Sequence, residues 1–194
     1  SDLFPKSKLL RVLDFGDIYF DGNFPMELLL LVHLRYLAVN LFKIVSIPSA
    51  IDNLSRLQTF LVKGDCHHVA LPNTIWNVKT LRHLEITGYL QLGFILPTVD
   101  VEDSPDLDHL DTFSLAIDSY GGRLQNKLQK LPSIRKLKCV NTLCLGNRSQ
   151  ILKLDSLSRL ETLKLHLFGG CKFEFPTNLK KLTLSGNECP SSEI

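Results

Sequence analysis

The sequence predicts an α/β solenoid: a curved horseshoe with a parallel β-sheet on its concave face and irregular loops and short helical or 3-10 turns on its convex face. Three observations predict it. Leucine fills 39 of the 194 positions, about twice its average share. The pattern apolar-x-x-apolar-x-apolar recurs eight times, starting at Leu10, Leu34, Leu57, Leu81, Leu110, Ile134, Leu160 and Leu179. The intervals between starts are 24, 23, 24, 29, 24, 26 and 19 residues, the spacing of stacked supersecondary units.

Each unit follows from the same chemistry. The triplets are Leu10, Leu13, Phe15; Leu34, Leu37, Val39; Leu57, Phe60, Val62; and Leu81, Leu84, Ile86. The second half adds Leu110, Phe113, Leu115; Ile134, Leu137, Cys139; Leu160, Leu163, Leu165; and Leu179, Leu182, Leu184. The last three pattern positions alternate, so two apolar side chains point inward while their neighbours point outward, as in a short strand. The return limbs read Ile47-Pro48-x-x-Ile51-x-x-Leu54 and Leu71-Pro72-x-x-Ile75-x-x-Val78, with Leu131-Pro132 as a third. Proline lacks an N–H, which predicts a limb that does not pair as a strand. The spacing of three after it suits a helical or 3-10 turn. One unit leaves its apolar face open, whereas stacked units share a continuous core.

These features define a leucine-rich-repeat domain, read as a single domain over 1–194. The 29-residue unit holds an acidic insertion, 97–109, with Asp100, Glu102, Asp103, Asp106 and Asp108. It reads as a solvated loop, with docking of a basic partner as the alternative. The asparagine that often follows the strand stands in register only at Asn187; elsewhere the position holds Ile18, Phe42, Asp65, Tyr89, Asp118, Thr142 and Phe168. An asparagine ladder is therefore expected to be mostly absent and the coil irregular. Neither end shows a polar cap, which predicts a fragment of a larger protein.

Composition narrows the function. Hydrophobic residues make up 44% and charged residues 22%, with a net charge of +2, as in a soluble globular chain with no call for nucleic acid. The longest apolar run, Leu28 to Val32, is far too short for a membrane span. Five cysteines without regular pairing favour a reducing compartment over a disulfide scaffold. No Gly-x-Ser-x-Gly, His-Glu-x-x-His or paired Cys-x-x-Cys motif occurs. Cys66-His67-His68 lacks a second ligand pair, and Cys139 and Cys144 place one cysteine at an inward strand position. Gly121-Gly122 and Gly169-Gly170 read as turns. The expectation is a binding domain with no catalytic, cofactor or metal site.

The outward strand positions are then the working surface. In order they are Arg11, Val12, Asp14; Arg35, Tyr36, Ala38; Gln58, Thr59, Leu61; and Arg82, His83, Glu85. The second half supplies Asp111, Thr112, Ser114; Arg135, Lys136, Lys138; Glu161, Thr162, Lys164; and Lys180, Lys181, Thr183. Candidate partner-binding residues are Arg35, Tyr36, Leu61, His83, Glu85, Arg135, Lys136, Lys138, Lys164, Lys180 and Lys181. Tyr36 and Leu61 are read as exposed apolar anchors. Residues 1–109 carry 9 Lys+Arg against 13 Asp+Glu, and residues 110–194 carry 13 against 7. That balance predicts a basic stripe through Arg135, Lys136, Lys138 and Lys164, with Lys180 and Lys181 beyond them, suited to an acidic protein surface.

The stretches at 9–15, 31–39, 47–62 and 71–86 resemble plant intracellular nucleotide-binding leucine-rich-repeat immune receptors. The resemblance is to the coiled-coil class that includes the late-blight-resistance proteins of nightshade plants. Its most specific element is Leu71-Pro72-Asn73-Thr74-Ile75-Trp76-Asn77 followed by Leu81-Arg82-His83-Leu84. The resemblance implies a cytoplasmic receptor in which a separate module binds ADP or ATP, while the repeats sense a pathogen effector or hold that module inactive. Two other readings share the fold. One is an extracellular receptor or inhibitor domain, supported by the sequons at Asn53 and Asn147; the other is the substrate-binding part of a ubiquitin-ligase adaptor.

Overall fold

The computed structural model describes residues 7–42, 46–64, 68–87, 93–95, 107–117, 128–141, 151–167 and 172–186. Its strands are β1 Val12–Asp21, β2 Tyr36–Phe42, β3 Thr59–Gly64, β4 His68–Ala70, β5 His83–Thr87 and β6 Gly93–Ile95. Then come β7 Thr112–Ile117, β8 Lys136–Asn141, β9 Ile151–Lys153, β10 Thr162–Leu167, β11 Lys172–Glu174 and β12 Lys181–Gly186. One parallel sheet runs β1-β2-β3-β5-β7-β8-β10-β12, with β4 and β6 attached beside it. Parallel order along the chain, one strand per repeat, is the solenoid that the leucine spacing predicts.

The units are locked together at the bend entering each strand. The carbonyl of Arg11 accepts both the Arg35 and Tyr36 N–H groups, and that of Arg35 accepts those of Gln58 and Thr59. The carbonyls of Gln58, Arg82, Asp111, Arg135 and Glu161 repeat the arrangement, all at 2.7–3.1 Å. Register along the sheet follows from this ladder: Tyr36, Thr59, His83, Thr112, Lys136, Thr162 and Lys181 form one row.

The interior is built from every third residue. Pro25, Pro48 and Pro72 precede 3-10 turns at Met26–Leu30, Ser49–Asn53 and Asn73–Asn77. Their N–H bonds run three residues back, Ile51 to Pro48, Leu54 to Ile51 and Leu57 to Leu54, at 2.9–3.1 Å. At three residues per turn, such spacing stacks Ile51, Leu54 and Leu57 on one face. All three are fully buried, as are Leu28, Phe60, Trp76, Leu137 and Leu163 to within 2%. Each buried side chain of this size stabilises the fold by about 1.5–3 kcal/mol. The convex carbonyls find donors in the next unit: the Thr80 hydroxyl donates to Leu57 at 2.8 Å and to Ser55 at 3.0 Å, and that of Thr74 to Ser49.

Three details differ from the sequence expectation. Proline does not keep the limb from pairing, because pairing occurs just before it: Ser46 bridges Ala70, and β9 pairs with β11. Leu131-Pro132 is not a third return limb of the Ile47-Pro48 type. Leu131 occupies the place of Leu54, bonding back to Leu128 and accepting from Ile134, and Pro132 lies exposed in the turn. The true counterpart is Phe24-Pro25, where Leu28 bonds to Pro25; Pro176, whose carbonyl accepts from Leu179, stands like Leu131 three residues before a repeat start. Finally, β1 bulges between Asp14 and Tyr19, so Phe42 pairs with Asp21 and not with a residue at the level of Ile18. Gly16 makes the bulge possible with φ 54, a left-handed conformation open to glycine. Its N–H is held by Asp14 Oδ1 at 2.9 Å, and Phe15 packs edge-on against Phe20 at 4.7 Å.

Asp65, Tyr89, Asp118, Thr142, Phe168 and Asn187, most of the acidic insertion, Cys66, His67, Cys144 and both glycine pairs lie outside the described residues. Cys139 is fully buried, and burial pushes its thiol far above the ordinary range. Alkylation followed by mass spectrometry should find Cys139 unmodified in the native protein at mildly alkaline pH and modified in denaturant. Strand phase has its own test. Leu84 is 1% exposed, so Leu84→Asp should cost several kcal/mol. Glu85→Ala, one residue on, should change stability by no more than about 0.5 kcal/mol. Equal melting temperatures for the two would mean the inward and outward faces are exchanged.

Candidate functional site

The outward side chains fall into rows fixed by register. In the first half, Asp14, Ala38, Leu61 and Glu85 stand side by side. This region is internally compensated. Lys63 Nζ reaches Asp14 Oδ1 at 3.2 Å across β2. The backbone bond from Gly16, then hydrogen bonds from Lys63 and Tyr36, hold the Asp14 carboxyl below its usual range. Ala38 is consequently buried beneath, at 1% exposure. Tyr36 and Leu61 are half-buried in this arrangement, not exposed anchors. Arg35 is exposed beside them. His83 Nδ1 meets the hydroxyl of Thr112 at 3.1 Å.

The second half separates into two bands of opposite character. Along the bend, Asp111, Arg135, Glu161 and Lys180 alternate in sign. Arg135 contacts Glu161 at 2.9 Å and Asp111 at 3.9 Å, and Lys180 reaches Glu161 at 3.4 Å. Arg135 and Lys180 therefore leave the predicted basic stripe, since neighbouring carboxylates neutralise them. The other lysines lie further along the strands, Lys136 one position beyond the bend and Lys138 and Lys164 three. Lys138 and Lys164 are direct cross-strand partners, about 4.8 Å apart along the sheet. Among the described residues no carboxylate lies within ion-pairing distance of Lys136, Lys138 or Lys164.

These lysines form one wall of a trough of about 350 Å³. Thr112 and Ser114 lie in its floor, with Glu85 and Ile86 on the opposite side. The repeat pattern places Thr112 and Ser114 at solvated outward positions, but they are buried to 9% and 2% exposure. Short side chains lie below the level of their long neighbours. Lys138 Nζ leans over this floor to donate to the Ile86 carbonyl at 3.4 Å. Burial first, then repulsion from Lys164, lowers its pKa, while Glu85 acts in the opposite sense. Next along, His166 is buried, with Nδ1 2.9 Å from the Ser185 hydroxyl. Sequence reasoning places Thr112 and Ser114 on the outward face without naming them as binding residues, and does not name His166; aligning the repeats puts His166 at an outward register position too.

Among the described residues no group of three His, Cys, Asp or Glu side chains is placed to hold a metal ion. No helix among them is long and apolar enough to cross a membrane.

A parallel strand per repeat, a leucine interior and a side-chain-lined concave face define a leucine-rich-repeat domain. The chain belongs to the leucine-rich repeat region family, which it matches over residues 3–192. It is similar to a late blight resistance protein homolog of Solanum demissum, 35% identical over 195 residues and covering 96% of this chain. It is also 33% identical over 198 residues to late blight resistance protein R1-A of the same plant, again over 96% of this chain. The chain spans 14% of the length of each. Among solved structures it is similar to a TDR receptor, with 20% identity, a TM-score of 0.43, and coverage of 93% of this chain and 32% of that one.

The alternating band gives a pH test. The hydrogen bond from Arg135, reinforced by Lys180, holds the Glu161 carboxyl below its usual value. Its contribution is then present above the unfolded-state pKa and is lost as pH falls through the lower, folded one. An NMR titration should find the Glu161 midpoint below that of an ordinary glutamate, and Arg135→Gln should return it upward. An unchanged midpoint in that variant would remove Arg135 as the cause.

Proposed function

We propose that this chain is the protein-recognition and autoregulatory part of a plant disease-resistance receptor, and that it is not itself an enzyme. The observation that carries the reading is the lysine wall, without an ion-paired carboxylate among the described residues, on the concave face of a repeat domain whose relatives are late blight resistance proteins. A solenoid presents its concave face for binding, and a protein surface meets it without any cofactor in this stretch. In the intact receptor, ADP or ATP belongs to a separate nucleotide-binding module. The concave face then either receives a pathogen effector or holds that module inactive, in the cytoplasm, upstream of the hypersensitive response.

The test is a plant cell-death assay on the intact receptor carrying Lys136→Glu, Lys138→Glu and Lys164→Glu together. Loss of the response at normal protein level supports effector reception; cell death without a pathogen supports autoinhibition. A receptor that accumulates and responds as the unaltered one does would overturn the concave face as the working surface.

A further inference from the structure

Several charges on this face are paired. Asp14 meets Lys63, Asp111 and Glu161 meet Arg135, and Lys180 meets Glu161. Lys138 and Lys164, like Lys136 and Lys181 beside them, have no ion-paired carboxylate among the described residues, but they alone of these four are opposite one another. They are like charges placed directly opposite on adjacent parallel strands, an arrangement that destabilises a sheet. One of them is drawn half out of water over a floor of buried hydroxyl-bearing residues. An anion placed between them relieves the repulsion and gains two charge-assisted bonds. At about 350 Å³ the trough has the size of a small ligand pocket, enough for an anchoring side chain and its backbone but not for a folded surface.

Glu85 decides which anion. It closes the opposite side of the trough and repels any ligand whose negative charge continues past the lysines. A nucleic acid or sulfated polysaccharide carries charge at every step and meets that carboxylate. A peptide carries charge only where an acidic side chain stands, and its backbone N–H groups suit Glu85 as donors.

Resting on the recognition reading above, we propose that the trough over Ser114 receives a carboxylate side chain from an extended acidic segment of a protein partner. Lys138 and Lys164 bind the carboxylate, Lys136 adds long-range attraction, and Glu85 selects peptide over polyanion.

The experiment uses the 194-residue chain and a fluorescent peptide of alternating glutamate and serine, followed by anisotropy at low and high salt. A glutamine-serine peptide and oligodeoxythymidylate serve as comparators. The glutamate peptide should bind, weaken as salt screens the lysines, and lose about tenfold or more in affinity in Lys138→Gln/Lys164→Gln. Lys8→Gln, exposed and outside the trough, should bind as the parent does. Glu85→Gln should raise the affinity for oligodeoxythymidylate. Melting curves establish that each variant is folded, and the single exposed change Lys164→Gln replaces the double variant if the latter is not. Failure of the folded parent to bind the glutamate peptide, equal binding by the lysine variants, or tighter binding of oligodeoxythymidylate by the parent would each overturn the proposal. If the cell-death assay responds to the concave changes while the peptide fails here, the recognition reading stands and the carboxylate receptor falls.

Discussion

Everything on the concave face depends on one backbone interaction repeated from unit to unit: a carbonyl at the bend that accepts two N–H groups from the next repeat. The arrangement uses no side chain, so it is indifferent to what stands at Arg11, Gln58 or Asp111. It holds each strand in register with the one before and turns a list of outward residues into straight rows. Without it, Lys138 would have no reason to face Lys164, nor Arg135 to face Glu161. The leucine interior supplies the free energy, but it specifies register only through alternation, which a slip by two residues would preserve.

Because the rows are straight, side-chain length becomes topography. Thr112 and Ser114 sink between longer neighbours and make a floor, and Ala38 does the same beneath the Asp14–Lys63 pair. The first half closes its hollow with an internal ion pair. The second leaves its hollow walled by lysines. The contrast arises within one sheet and one repeat pattern, from the choice of residue at the same row position.

The fold is legible because the repeat states it many times. Every inward position from Leu34 to Ile86, and again from Ile134 to Leu165, is buried wherever its side chain is described. The turns are legible from the spacing of three after Pro48 and Pro72. Phe24-Pro25 is harder to see because the leucine run beginning at Leu28 hides that spacing. Leu131-Pro132 misleads because its proline carries less information than its distance from the following strand. The site is less legible. Outward positions can be named, but burial of Ser114 depends on its neighbours in other repeats. The pairing of Arg135 with Glu161 spans 26 residues; only aligning the repeats and reading signs down the column Asp111, Arg135, Glu161, Lys180 brings it out.

The short strands of the return limb bear on what a partner must look like. Where β9 meets β11 in a sheet of their own, the return limb is spaced as a sheet, at about 4.8 Å, like the concave wall. Two walls with the same pitch leave almost no wedge between successive coils, so little bending accumulates there. A groove that bends little from coil to coil is long and shallow. A rounded protein would touch it along a narrow line, whereas a strip of chain lying across several coils would stay in contact from one to the next.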